Sequence, residues 1–126
     1  QEMVASVAEI FVGAKWDDQF GAILLVGCGG IFVEILRDVE TALAPVGAAE
    51  AEAMLRRLAL WPLLSGARGR PAADIPALAD LISRVSWVAA DLGPRLAELD
   101  LNPVMARAEG QGARIADGRA VLRDET

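Results

Sequence analysis

The apolar residues of this chain change their spacing twice, and that double change limits the fold more than any other feature. Residues 7–15 (VAEIFVGAK) are rich in β-branched and aromatic side chains and alternate imperfectly, as a strand does. Trp16-Asp17-Asp18-Gln19 is a polar break of hairpin length, and residues 20–26 (FGAILLV) form a short apolar run suited to a buried strand. After Gly27-Cys28-Gly29-Gly30, the runs 31–36 and 39–43 flank Arg37-Asp38 and are expected to make another antiparallel pair.

The period then becomes helical. Residues 48–60 follow Gly47 with Ala51, Met54, Leu55 and Leu58 on one face, and Pro62 is expected to stop this helix. Residues 61–71 read as a loop punctuated by Pro and Gly. Asp74 is a good N-cap, with Pro76 in the first turn. From there Ile75, Leu78, Ile82, Val85 and Ala89 make a stripe out to Gly93-Pro94. Strand-like spacing returns at residues 99–106 and 113–116, and Asp117-Gly118 is a turn signal before residues 119–122. Strands, two helices, then strands describe an α+β layout: a largely antiparallel sheet with two main helices on one face, in a single domain over 1–126. With 54% hydrophobic residues the chain can bury the core that this requires.

Composition excludes several chemistries. There is no His, so Ser-His-Asp and Cys-His catalysis, imidazole metal sites and a phosphohistidine are all excluded within these residues. One Cys allows no internal disulfide, and nothing points to an oxidising compartment; a cytoplasmic location is expected. Twelve Lys and Arg against 18 Asp and Glu give a net charge of −6, which argues against nucleic-acid and anionic-membrane partners. The chain starts at Gln1 without a signal-peptide layout and reads as a fragment or processed chain.

Four groups of residues could carry chemistry. On a strand, Asp100 and Asn102 of Asp100-Leu101-Asn102-Pro103 share a face and offer two hard oxygen donors suited to Mg²⁺ held with phosphates. Pro103 removes a ladder donor, so this strand is expected at an edge or irregular. The plainer account is a polar strand end, and four residues alone favour it. Asp117 follows Asn102 by 15 positions, and a loop at residues 109–112 could bring the two side by side on neighbouring strands. Asp117-Gly118 could equally be a type I′ turn, and both can hold at once. In residues 27–34 (GCGGIFVE), Gly29 and Gly30 allow close backbone approach to a ligand, although a bulge is the plainer reading. Glu34, inside an apolar run, needs a partner. The two arginines of residues 66–71 (GARGRP) could bind phosphate or simply lie solvated on a loop. Lys15 alone means little, and Cys28, with no His, is best read as a packing residue.

Taken in order, residues 8–13 (AEIFVG), 15–21 (KWDDQFG), 27–38 (GCGGIFVEILRD), Ala44-Pro45, 61–66 (WPLLSG), Arg68-Gly69 and 98–103 (ELDLNP) resemble one family over nearly the whole chain. That family is the NDP-forming acyl-CoA synthetases, relatives of succinyl-CoA synthetase. The part resembled is the second half of their ATP-grasp domain. The resemblance implies reversible conversion of an acid, CoA and ATP to acyl-CoA, ADP and phosphate, through an acyl phosphate and a phosphohistidine. It matches Asn102 and Asp117 to Mg²⁺ ligands, Asp100 to the acidic residue beside them and Glu9 to a strand glutamate near the ATP or ADP. Gly29, Gly30 and Glu34 join Glu9 as candidate cofactor-binding residues. The phosphohistidine, the first ATP-grasp half with its phosphate-gripping lysine, and the CoA-binding and ligase-like domains are not among these 126 residues. The expected partners are therefore the remaining synthetase domains or subunit, and a nucleotide. The chain by itself is expected not to turn over ATP and to associate as a homodimer. A second reading is a non-catalytic module, fused to an acetyltransferase, that senses acyl-CoA or nucleotide.

Overall fold

In the computed structural model, residues 6–29 and 38–124 are described. Ten residues, Ala8–Asp17, form β1, and after a tight turn Gly21–Cys28 form β2. The turn is fastened by Asp17, whose Oδ1 accepts from the N–H groups of Gln19 (2.8 Å) and Phe20 (2.9 Å). β3 (Val39–Leu43) pairs antiparallel with β2, Leu25 lying opposite Thr41. The expected pairing of residues 31–36 with 39–43 involves a segment outside the described residues.

Helix α1 spans Ala48–Arg57 and is shorter than its apolar stripe suggests. It ends before Pro62 because Leu58 turns extended (ψ 143°). The carboxylate of Asp38 then accepts from Ala59 N–H at 2.7 Å and Leu60 N–H at 2.9 Å. Those bonds seed a second start, and Pro62 sits in the first turn of the short helix α2 (Trp61–Leu64), where a missing N–H costs nothing. The segment 61–71 therefore holds α2 and a 3₁₀ turn at Ala67–Gly69 rather than an irregular loop. Helix α3 (Ile75–Leu92) follows its expected signals: Asp74 accepts from Ala77 N–H at 3.2 Å, and Gly93 (φ 56°) ends it.

The return strands settle one open expectation and correct another: Pro103 marks an irregular strand rather than an edge. β4 (Leu96–Ala106) is interior, with β1 on one side and both β5 (Ala113–Ile115) and β6 (Gly118–Leu122) on the other. Pro103 is tolerated there because the register slips: Ile10 faces Val104 but Val12 faces Leu101, so β4 carries one extra residue at this bulge. Asp117-Gly118 is not a hairpin turn either. β5 and β6 run in the same direction along β4 as one interrupted strand, and Asp117-Gly118 joins them. The peptide bonds Ala44–Pro45 and Asn102–Pro103 are cis.

The described residues thus form a six-stranded sheet, all of its pairings antiparallel, with α1 and α3 on one face. Ile10, Val12, Leu24, Val26 and Val104 from the sheet meet Met54, Leu55, Leu78 and Ile82 from the helices in the main core. Each large apolar side chain so buried contributes about 1.5–3 kcal/mol. Among the described residues no helix is long and apolar enough to cross a membrane. Among the described residues no helix lies on the opposite face of the sheet, and that asymmetry positions the candidate site.

Candidate functional site

Strand alternation decides which side chains reach the face opposite α1 and α3. On β1, Ile10, Val12 and Ala14 are buried toward the helices, so Glu9, Phe11, Gly13 and Lys15 belong to the open face. On β4, Leu99 and Leu101 pack on the core, which sends Asp100 and Asn102 the other way. Gly13 lies opposite Asp100, and a Cβ on Gly13 would stand 4.0 Å from Asp100 Oδ1, confirming that Asp100 lies over this face. A Cβ on Gly118 would meet Leu101 Cδ2 at 2.9 Å. Gly118 therefore shares the helix side with Leu101, and its neighbours Asp117 and Arg119 fall on the open face.

The structure brings Asn102 and Asp117 together. Asn102 N–H donates to the Asp117 carbonyl at 3.1 Å, and Ala116 N–H donates to the Pro103 carbonyl at 3.0 Å, closing the ladder on both sides of the bulge. One Asp117 carboxylate oxygen accepts from Gly118 N–H at 2.9 Å, which fixes the orientation of the second. Asp100 lies two residues along the same strand. Among the described residues no group of three or more Asp, Glu, Cys or His converges as a ready-made metal cage. An amide and a carboxylate suit Mg²⁺ nonetheless, because that ion keeps waters and substrate phosphates in most of its positions.

Glu9 is further along the sheet, opposite Met105, and is not beside the pair. Gly29 has a structural reason of its own. Its N–H donates to the Glu9 carbonyl at 2.9 Å, and a Cβ there would lie 2.8 Å from the Ile10 carbonyl. Close approach to β1 requires this glycine whether or not a ligand is near. Gly30 and Glu34 lie outside the described residues. Cys28 is buried beside this corner, and burial first, then the charges of Asp38 and Glu9, push its thiol above the ordinary range. That favours the protonated thiol.

Sequence reasoning missed two arginines. Arg119 lies directly opposite Asp100, and Arg114 directly opposite Met105, both on the open face. The signal was available for Arg119: on a strand, the residue two positions after Asp117 shares its face.

Comparison with known proteins shows the family and the fold. The model of the ATP-grasp domain matches residues 1–122. The beta subunit of acetate–CoA ligase (ADP-forming) II from Pyrococcus furiosus is 41% identical over 115 residues, covering 91% of this chain and 49% of that protein. Acetate–CoA ligase (ADP-forming) I from Archaeoglobus fulgidus is 42% identical over 125 residues, covering 99% of this chain and 18% of that protein. The chain thus spans half or less of the length of these curated relatives. Among solved structures, acetyl-coenzyme A synthetase 1 of Ca. Korarchaeum cryptofilum superposes with a TM-score of 0.88 at 36% identity, covering 98% of this chain and 56% of that one. That structure holds coenzyme A and Mg-AMPPCP, with its phosphohistidine segment pointing towards the nucleotide-binding site.

Proposed function

The chain belongs to the ATP-grasp domain family, and on that premise we propose that it is the metal-side half of the nucleotide cleft in an ADP-forming acyl-CoA synthetase. The observation that carries this reading is the pairing of Asn102 with Asp117 across the ladder on the sheet face opposite α1 and α3. The Asn102 side-chain oxygen and the Asp117 carboxylate would hold Mg²⁺ against the nucleotide phosphates. When bound, that ion neutralises charge developing on a transferring phosphoryl group.

The chain's own residues supply the platform. The sheet, backed by α1 and α3, holds the two oxygen donors on rigid backbone, which places them more accurately than loops would. Asp100 adds a negative charge two residues away. Glu9 marks the far end of the same face. With no His in the chain, the nucleophile for phosphoryl transfer comes from another domain or subunit. Coenzyme A and the acid would likewise be bound there. The relative described as a beta subunit supports a partner of that kind. A cytoplasmic location fits the free, buried thiol of Cys28. Without its partner, the face that would meet the missing half would favour pairing of two copies, read as a dimer mass by light scattering.

The test is calorimetry of the 126-residue chain with ADP, in Mg²⁺ and again in EDTA. Binding that requires Mg²⁺ is expected. Magnesium-independent binding, or none with the complementary half added, would remove the reading.

A further inference from the structure

Arg114 and Arg119 share the open face with the candidate donors. The ion pairs of the described residues use Arg56, Arg57 and Arg84, all on the helices. Arg114 and Arg119 take part in none of them, although each has an acidic residue on its own cross-strand row. Arg119 faces Asp100 across one strand gap, and Arg114 faces Met105, which in turn faces Glu9. In a chain of net charge −6, two uncommitted guanidinium groups on one face are a local reversal of sign.

Their spacing is as informative as their charge. Along the edge strand Arg119 lies two residues beyond Asp117 and Arg114 lies three before it. At strand rise these offsets are about 7 Å and about 10 Å on opposite sides of the Asn102–Asp117 pair. The arginines straddle the candidate metal position, and a polyphosphate seated on that metal would extend toward one or both. Arginine suits this task because its planar fork bonds phosphate oxygens in pairs.

We propose that Arg119 and Arg114 form a polyphosphate-binding pair, which gives this half of the cleft its own affinity for the phosphates of a nucleoside di- or triphosphate. The proposal rests on the reading of Asn102 and Asp117 as the metal-side donors. The competing account is that charge on a sheet edge merely discourages edge-to-edge association. It predicts no anion binding at either arginine.

The experiment titrates the 126-residue chain with Mg·tripolyphosphate and with Mg·ADP by calorimetry, comparing wild type with Arg119→Ala, Arg114→Ala and Arg119→Lys. Circular dichroism checks that each variant is folded. Both alanine variants are expected to weaken tripolyphosphate binding by about tenfold or more, and Arg119→Lys less, because charge persists while the fork is lost. Equal affinity of wild type and both alanine variants, or no binding by wild type, would overturn the proposal. Failure of the wider reading looks different. In that case tripolyphosphate binding depends on the arginines, but Asn102→Ala and removal of Mg²⁺ change nothing.

Discussion

Asn102 gives its backbone N–H to the carbonyl of Asp117 at 3.1 Å, so residues 15 positions apart in sequence are neighbours on one ladder. Because that bond is made by main-chain atoms, replacing either side chain leaves the juxtaposition in place. Asn102→Ala and Asp117→Ala are therefore expected to separate binding from folding. Each should weaken Mg·ADP binding by about tenfold or more, the loss of one charge-assisted ligand contact. Asp117→Ala, at an exposed position, should change unfolding free energy by no more than about 0.5 kcal/mol, as for surface substitutions generally. The double variant should lose little beyond either single one, since both ligands serve one ion. Calorimetry and urea unfolding read the two quantities.

A second prediction concerns the only buried polar side chain among the described core residues. Ser86 Oγ, fully buried on α3, accepts from Val46 N–H at 2.9 Å and lies 2.6 Å from the Ser83 carbonyl. This fastens the segment between β3 and α1 to the helix beneath it. Ser86→Ala leaves the Val46 N–H without that acceptor in a dry interior. The expected cost is about 1–3 kcal/mol, seen as a lower urea midpoint with unchanged slope.

The elements that were legible from sequence are those whose signals are local. Helix α3 carries its cap at Asp74, its apolar stripe and its glycine stop within its own residues, and it forms as read. α1 was misjudged because its end depends on Asp38, some twenty positions away, which takes the N–H groups of Ala59 and Leu60. Pro103 suggests an edge or an irregular strand because it lacks an N–H; the second holds, since a bulge supplies that freedom inside a sheet, and which of the two applies depends on the partner strand's register. For the site, Asp100 and Asn102 were readable from period-two spacing. The 15-residue spacing, with a loop at residues 109–112, also allows Asp117 beside Asn102, as found; that Arg119 and Arg114 flank the group depends on β5 and β6 lying end to end along β4. Asp117-Gly118 read alone gives a hairpin instead.

Cys28 provides a pH-dependent check. Burial, then Asp38 and Glu9, raise its thiol pKa in the folded protein. Below about pH 8.5, the ordinary thiol value, both folded and unfolded chains keep the proton and the thiol contributes no pH dependence. Above it, the unfolded chain ionises while the folded one resists, so the unfolded state is favoured as pH rises. The thiol's contribution to stability is expected to decline as pH rises above the ordinary thiol value, and Cys28→Ala should remove that component from the pH profile. The same protonated, buried thiol should alkylate far more slowly in the native chain than in urea at about pH 8. Iodoacetamide labelling followed by mass spectrometry measures this, and equal rates would show that the thiol is neither buried nor held protonated.

Gly29 offers the sharpest separation of a structural from a ligand-binding role. A Cβ there would lie 2.8 Å from both the carbonyl carbon and oxygen of Ile10. Those atoms belong to β1, the strand on which the sheet is centred, and cannot move aside as a flexible side chain would. Gly29→Ala should therefore force β1 and the end of β2 apart, at about 1–3 kcal/mol. The Gly29 N–H bond to Glu9 should weaken with it, raising hydrogen exchange at that amide. If Gly29 were needed only to let a nucleotide approach, the same substitution would leave stability unchanged and lower Mg·ADP affinity. Urea unfolding beside calorimetry distinguishes the two. Loss of stability, with binding retained in the fraction that remains folded, is the outcome that the contact with Ile10 requires.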